Sequence, residues 1–474
     1  MKKLHFLFSI TLFKFHSPFL IIRYKHEFPS LFCIFKLVFS TIFSKLTKSE
    51  KIDWITKTHF KNPDQARKQL ESYWNLDSNV QIQHDEFIEN TLSNFYLPLG
   101  IAPNFLINGS IYTIPMVTEE SSVVAAAANS AKFWSVRGGF KTEVINTLKI
   151  GQIHFFFEGN TKELITFFNR RKSDLLKSAS PMTKNMQTRG GGIVSIDLID
   201  KGDVLLNYYQ LHLGFKTADA MGANFINSCL EYVAKYLIQF AKEDKLINGK
   251  INPIDVVMSI LSNYVPECLV SAKISCPLND FNLENGSKKG RYFANRLIQA
   301  VDIAKCETYR AVTHNKGIMN GIDAIVIATG NDFRAVEAGV HAYAARSGQY
   351  RSLSDAYIIE DKFVMELSIP LALGTVGGLT KLHPMVAWCM ELLGNPSAQK
   401  LMEIVAVTGL AQNFAALRSL ITTGIQKGHM KMHLLNILSQ FNASKNQKIA
   451  AIKHFTSRQV TVQAVKDFLK KNKF

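Results

Sequence analysis

At 474 residues, 47% of them hydrophobic, the chain is long enough to bury several cores; this excludes a small stapled scaffold and sets an expectation of about two to four domains. Cys33, Cys229, Cys268, Cys276, Cys306 and Cys389 stand singly without a CxxC pair, so neither a zinc ribbon nor a disulfide framework is indicated and a reducing cytoplasm fits best. The formal charge of +17 raises polyanionic partners, but no recognised nucleic-acid fold or aromatic-basic motif accompanies it.

Much of that charge is local. The first 48 residues hold Lys2, Lys3, Lys14, Arg23, Lys25, Lys36, Lys45 and Lys48 against the single acid Glu27. Apolar stretches at 4–22 and 31–43 are broken by Lys14, His16 and Pro18 and by Lys36, short of the roughly 18–20 apolar residues that span a bilayer. Residues 1–42 are expected to lie outside the fold, as an extension; a weak membrane-associating segment, a signal anchor or a start assigned too far upstream are the alternatives.

From about residue 43 to 89 the pattern is helical and charged, and 123–132 reads as a helix. Residues 152–157 form an apolar run, 161–178 a helix, and 193–199 a strand with alternation. After the turn Lys201-Gly202-Asp203, residues 204–213 read as the second arm of a hairpin. A helix from about Gly222 places Phe225, Cys229, Val233, Leu237 and Phe240 or Ala241 on one stripe, and 255–261 reads as a last strand. The order β-α-β-β-α-β is that of a ferredoxin-like split unit, here inserted between two parts of a larger domain. Beyond it, 324–328 reads as a short buried strand, Thr329-Gly330-Asn331-Asp332 as a turn, and 332–346 as a helix with Phe333, Val336, Val340 and Tyr343 inward. The stretch Gly374-Thr375-Val376-Gly377-Gly378 precedes a helical tail, and the short basic helices after Gly428 could move as a flap.

Four places concentrate reactive side chains. Thr118-Glu119-Glu120-Ser121-Ser122 precedes a helix and reads either as a cap with dipole-favoured acids or as a carboxylate that relays protons beside a cation. Lys316 lies in the string His314-Asn315-Lys316-Gly317-Ile318-Met319-Asn320-Gly321-Ile322-Asp323. Read as a loop, that string either leaves the lysine solvated or fixes it where it can stabilise an oxyanion. Asp332 stands in the first turn of its helix, either dipole-stabilised or functional. His429, with His433 four residues on, lacks the remaining ligands of a zinc site and is better suited to be a single titrating general acid. For cofactor, no GxGxxG follows a strand; instead Asp219-Ala220-Met221-Gly222-Ala223-Asn224 opens a helix whose free N-terminus suits a pyrophosphate. Arg189-Gly190-Gly191-Gly192 reads either as a flexible turn or as a ligand-contacting loop.

In order along the chain, the Glu119-Glu120 segment, residues 219–224, the HNKGIMNGID and TGNDFRAVEAG strings and 424–430 closely resemble the class II, soluble bacterial 3-hydroxy-3-methylglutaryl-coenzyme A reductases, from about residue 43 to the end. The resemblance implies a mixed α/β fold with a large helix-rich substrate domain (43–148 and 263–423), an inserted ferredoxin-like dinucleotide domain (149–262) and a small helical C-terminal flap (424–474). It implies NADH- or NADPH-dependent reduction of (S)-3-hydroxy-3-methylglutaryl-coenzyme A to (R)-mevalonate and coenzyme A, or the reverse, with no metal. Glu120 would be the catalytic acid, Lys316 the oxyanion-stabilising lysine, Asp332 the aspartate between them, and His429 the proton donor to the departing thiolate. Ser122, Asn263, Arg310 and Asn320 would hold substrate, and Asp219, Met221, Gly222, Asn224 and Ser195 the dinucleotide. The implied assembly is a homodimer or higher homo-oligomer, with membrane contact only through 1–42 and no nucleic acid. Two positions depart from the family pattern: Ser121 stands where proline is common, and Ser195 where members that prefer NAD carry an acid. The competing expectation is a catalytically silent binding or scaffold protein on the same fold.

Overall fold

The computed structural model describes residues 43–244, 254–281, 287–422, 424, 434–456, 458 and 460–471. The N-terminal extension 1–42, His429 and His433 lie outside the described residues.

Two compact units divide at Phe95. In the first, three short helices, α1 (Lys48–His59), α2 (Pro63–Glu71) and α3 (Ser78–Asp85), each start on a capping residue. Thr47 and Glu50 form a reciprocal capping box, Asn62 accepts from Gln65 with Pro63 at the first turn, and Asp77 accepts from Asn79 and Val80. Lys48 bridges α1 to Asp85 at 2.7 Å, and the Trp74 indole donates to the Leu92 carbonyl at 3.0 Å.

The second unit, from Tyr96, carries three separate hydrophobic cores. In the first, β1 (Leu99–Ile107) and β2 (Ser110–Val117) make a hairpin turned by Asn108 and Gly109, both at positive φ, as a tight two-residue turn requires. Helix α4 (Val123–Ser135) packs on it, and β3 (Lys141–Val144) leads into an antiparallel sheet of order β3-β8-β10-β9. Its other strands are β8 (Leu269–Pro277), β9 (Ser354–Ile359) and β10 (Lys362–Pro370). Phe133, Trp134, Phe281, Phe363 and Phe414 stack within this core, Phe281 and Phe363 only 4.5 Å apart between centroids. Burying each phenyl contributes about 1.5–3 kcal/mol.

The second core joins a four-stranded sheet to its helices. Strands β4 (Lys149–Phe156), β5 (Gly192–Asp200), β6 (Tyr208–Lys216) and β7 (Asp255–Leu261) lie in the order β5-β6-β4-β7 with every pairing antiparallel. Period-2 burial puts Ile153, Phe155, Leu211 and Leu213 against α5 (Thr161–Ser178) and α7 (Ala223–Glu243), with the short α6 (Ser180–Gln187) between α5 and β5. On α7 the expected stripe is buried at Cys229, Val233, Leu237 and Ala241, with Phe225 and Phe240 at its margins. The second hairpin arm begins four residues later than expected, at Tyr208. Val204, Leu205 and Leu206 are exposed in a turn hydrogen-bonded back to Lys201, so their hydrophobicity marked no strand.

Three helices close the first core: α8 (Ser287–Cys306), α9 (Thr308–Ala328) and α10 (Phe333–Ala344). The strand expected at 324–328 is the last turn of α9. A run of Ala, Ile and Val buried at four of its five positions has too little periodicity to separate strand from helix, and packing overrides its β propensity. Glycines make that packing possible. A Cβ on Gly321 would sit 2.7 Å from the Thr408 carbonyl oxygen of α13 (Ala398–Ile421), which follows α11 (Leu379–Leu382) and α12 (Pro384–Leu392). Among the described residues only α13 is long and apolar enough to cross a membrane, and it is mostly buried in this core. On α10, Val336, Val340 and Tyr343 face inward, but Phe333, the first helical residue after the Asp332 cap, is exposed, and the inward face starts at Val336. The third core gathers Leu434, Ile437, Leu438, Ala451, Phe455, Val465 and Phe468, with α14 (Lys445–His454) and α15 (Val462–Lys471).

Candidate active site

Lys316 belongs to helix α9, not to a loop. Its two predecessors lock the helix inward: Asn315 donates to the Arg351 carbonyl at 2.8 Å and accepts from the Leu353 amide at 3.0 Å, while His314 Nε2 lies 2.8 Å from the Ser354 hydroxyl. Each residue turns the helix about 100°, so Lys316 emerges toward solvent and meets Glu120, Nζ to Oε2 2.6 Å. The side chains are 58% and 36% exposed, so this pair stabilises the fold by only about 1 kcal/mol or less. Its meaning is chemical: a cation and a carboxyl are held together where a ligand can reach both.

Glu120 is placed by an unusual turn. Between β2 and α4 the chain passes through Ser122 at φ 77°, a left-handed conformation that costs a non-glycine residue about 1–3 kcal/mol and is characteristic of functional sites. The cap expected of this segment is not made, since Ser122 offers the helix no side-chain hydrogen bond.

Asp332 does act as a cap, accepting from the Arg334 and Ala335 amides at 3.1 Å, with the Arg334 guanidinium 3.6 Å away. The contact seen in the pair is therefore Glu120 directly on Lys316, with Asp332 occupied by helix backbone. Its neighbour Asn331 accepts from the Gly374 amide at 2.8 Å, and Gly374 abuts residue 221: a Cβ there would lie 2.3 Å from the Met221 nitrogen. Thr375 donates to the Asp219 carbonyl at 2.8 Å. The glycine-rich stretch thus ties the Asp332 turn to residues 219–224.

Of those residues, Asp219 is committed elsewhere, its carboxylate accepting from the Ala398 amide at 2.8 Å. Gly222, at φ 97°, begins α7 with no side-chain cap, leaving first-turn amides for an anion, and Asn224 is exposed just inside. Met221 and Asn263 line a cavity with Lys149, Val336 and Gly339. Lys149 is buried; it donates to the Ala220 carbonyl and the Thr217 hydroxyl, and burial pulls its pKa down. An uncapped helix start, a backbone approach that only glycine allows and a buried cation fit a phosphate-bearing dinucleotide. Ser195 lies elsewhere, on the edge strand β5, its hydroxyl filling the space Gly214 leaves, and Asp197 pairs with Lys172 at 3.2 Å. Arg310 and Asn320 share α9 with Lys316, and burial lowers the Arg310 pKa.

No role for Lys149, Asp323 or Glu337 is legible in the sequence. Asp323 sits seven residues after Lys316, on its helical face, a signal visible only once 308–328 is read as a helix. Among the described residues no group of His, Cys, Asp and Glu is placed to hold a metal ion.

A family model described as hydroxymethylglutaryl-coenzyme A reductase matches residues 48–434. The chain is 39% identical to the 3-hydroxy-3-methylglutaryl-coenzyme A reductase of Archaeoglobus fulgidus over 77% of this chain and 79% of that one. It is 34% identical to a probable reductase of the same name from Borreliella burgdorferi, over 81% and 87%. The class II reductase of Streptococcus pneumoniae, in open conformations bound to NADPH, superposes with a TM-score of 0.67 at 36% identity, covering 81% of this chain and 99% of that one.

Proposed function

From the premise that this chain belongs to the hydroxymethylglutaryl-coenzyme A reductase family, we propose a division of labour among its residues. The reaction is the NAD(P)H-dependent reduction of 3-hydroxy-3-methylglutaryl-coenzyme A to mevalonate and free coenzyme A. The observation that carries the assignment is the 2.6 Å contact between Lys316 and Glu120.

The dinucleotide, when bound, supplies the hydride for each of two reductions. Lys316 stabilises the oxyanion that forms as the thioester carbonyl is first reduced. Collapse of the hemithioacetal expels a thiolate, which His429 protonates from the C-terminal segment. Glu120 then gives its proton to the alkoxide left by the second reduction, for which it must be neutral at that moment. Asp332, one helix start away, takes the family's aspartate position beside the pair. Ser122, Asn263, Arg310 and Asn320 hold substrate, and Met221, Gly222 and Asn224, with Asp219 as brace, hold the pyrophosphate end of the dinucleotide.

The three cores support a functional partition: 43–148 with 263–423 for substrate and coenzyme A, 149–262 for dinucleotide, and 424–474 as a flap. Met385, Trp388 and Leu392, exposed at i, i+3 and i+7 on α12, support a homodimer. Unpaired Cys229, Cys268, Cys276, Cys306 and Cys389 suit the cytoplasm. The test is NADPH oxidation by purified protein that requires 3-hydroxy-3-methylglutaryl-coenzyme A. Protein that binds the thioester but leaves NADPH and NADH untouched would defeat the reading and favour a scaffold.

A further inference from the structure

Behind the Glu120–Lys316 pair lies a second set of titratable groups that the reaction scheme does not use. Asp323 on α9 is hydrogen-bonded to Glu337 on α10, and Glu337 meets His341 Nε2 at 2.6 Å; His341 Nδ1 in turn lies 2.7 Å from the Tyr350 hydroxyl. Asp323 Oδ1 is shut off from solvent without a hydrogen-bond partner. The charges acting on Asp323 are Glu337 from α10, Glu119 from the β2–α4 turn and Lys316 from its own helix.

Two carboxyl groups in hydrogen-bond contact need a proton between them, because two ionised carboxylates only repel. His341 donates to Glu337 and so holds Glu337 as the anion, which leaves the proton on Asp323. We propose that Asp323 is a proton-holding positioning residue, kept neutral by burial and by its contact with Glu337 so that Lys316 answers to Glu120 alone. The proposal rests on the reductase reading for its consequence in catalysis, but the shared proton itself does not.

Burial, then Glu337, pushes the Asp323 pKa up to about 8, so the proton is held through neutrality and lost just above it. A charged Asp323 would put another carboxylate in competition for Lys316, and activity should fall with it. In Asp323→Asn the amide stands for the neutral acid and cannot ionise; in Glu337→Gln the neighbouring charge that keeps Asp323 protonated is gone.

The experiment is a pair of pH series on wild type, Asp323→Asn and Glu337→Gln: kcat with 3-hydroxy-3-methylglutaryl-coenzyme A and NADPH, and Tm without ligands. Wild type should lose kcat with an apparent pKa about 8, a limb that Asp323→Asn lacks and that Glu337→Gln moves to lower pH. Between pH 4 and 8 the folded state holds a proton the unfolded chain has released, so wild-type Tm should decline with rising pH relative to Asp323→Asn. Alkaline limbs and Tm slopes identical in all three proteins would overturn the proposal. If Asp323→Asn does not fold, the shift of the Glu337→Gln limb decides alone. If wild type oxidises no NADPH, the reductase reading fails, and the Tm series still decides whether Asp323 holds its proton.

Discussion

Lys316 is the side chain on which most depends, and its energetics separate stability from function. An exposed ion pair stabilises weakly, so Lys316→Ala should leave Tm within a few degrees of wild type while kcat falls about 10²–10³-fold or more. Equal losses in both would make it a structural residue. His314, two positions earlier, behaves in the opposite way. Burial holds its pKa down to about 3, so it stays neutral in the fold while the unfolded chain charges near 6.5. Its contribution to stability is complete above pH 6.5 and lost as pH falls toward 3. Tm should drop across that window, and His314→Gln should flatten the drop. Glu120 and Lys316 stand out in the sequence as candidates, because each sits in a distinctive string. Their contact is not legible there, since it spans 196 positions and depends on a left-handed Ser122.

At the scale of elements, the second core was the most legible part. Strands buried on one face alternate, and α7 repeats its apolar residues at helical spacing, so pattern alone yields β-α-β-β-α-β and misses only the short α6 and the start of β6. Helix α9 was the least legible. Two glycines suggested a loop and a β-branched end suggested a strand, yet Gly321 serves close packing on α13 and residues 324–328 are buried at four of their five positions. That misreading hid the shared face of Lys316, Asn320 and Asp323. Within the second core's sheet, Ser195 on β5 offers no negative charge, and Lys172 attends Asp197. Ser195→Asp should therefore raise KM for NADPH about tenfold relative to NADH, a 2′-phosphate meeting a new carboxylate. Unchanged KM values for both would remove Ser195 from the dinucleotide site.

For the whole molecule, three separate hydrophobic cores lie within the one unit that runs from Tyr96. The exposed apolar face of α12 should be covered in solution. Sedimentation equilibrium should find a dimer, and Trp388→Glu should shift it toward monomer with loss of activity; an active wild-type monomer would refute the interface. The central claim is a four-electron reduction completed on one protein. Its most direct measurement follows NADPH absorbance and free thiol together after addition of 3-hydroxy-3-methylglutaryl-coenzyme A. The account predicts two NADPH oxidised for each coenzyme A released, with mevalonate as product; thiol release without NADPH oxidation would contradict it.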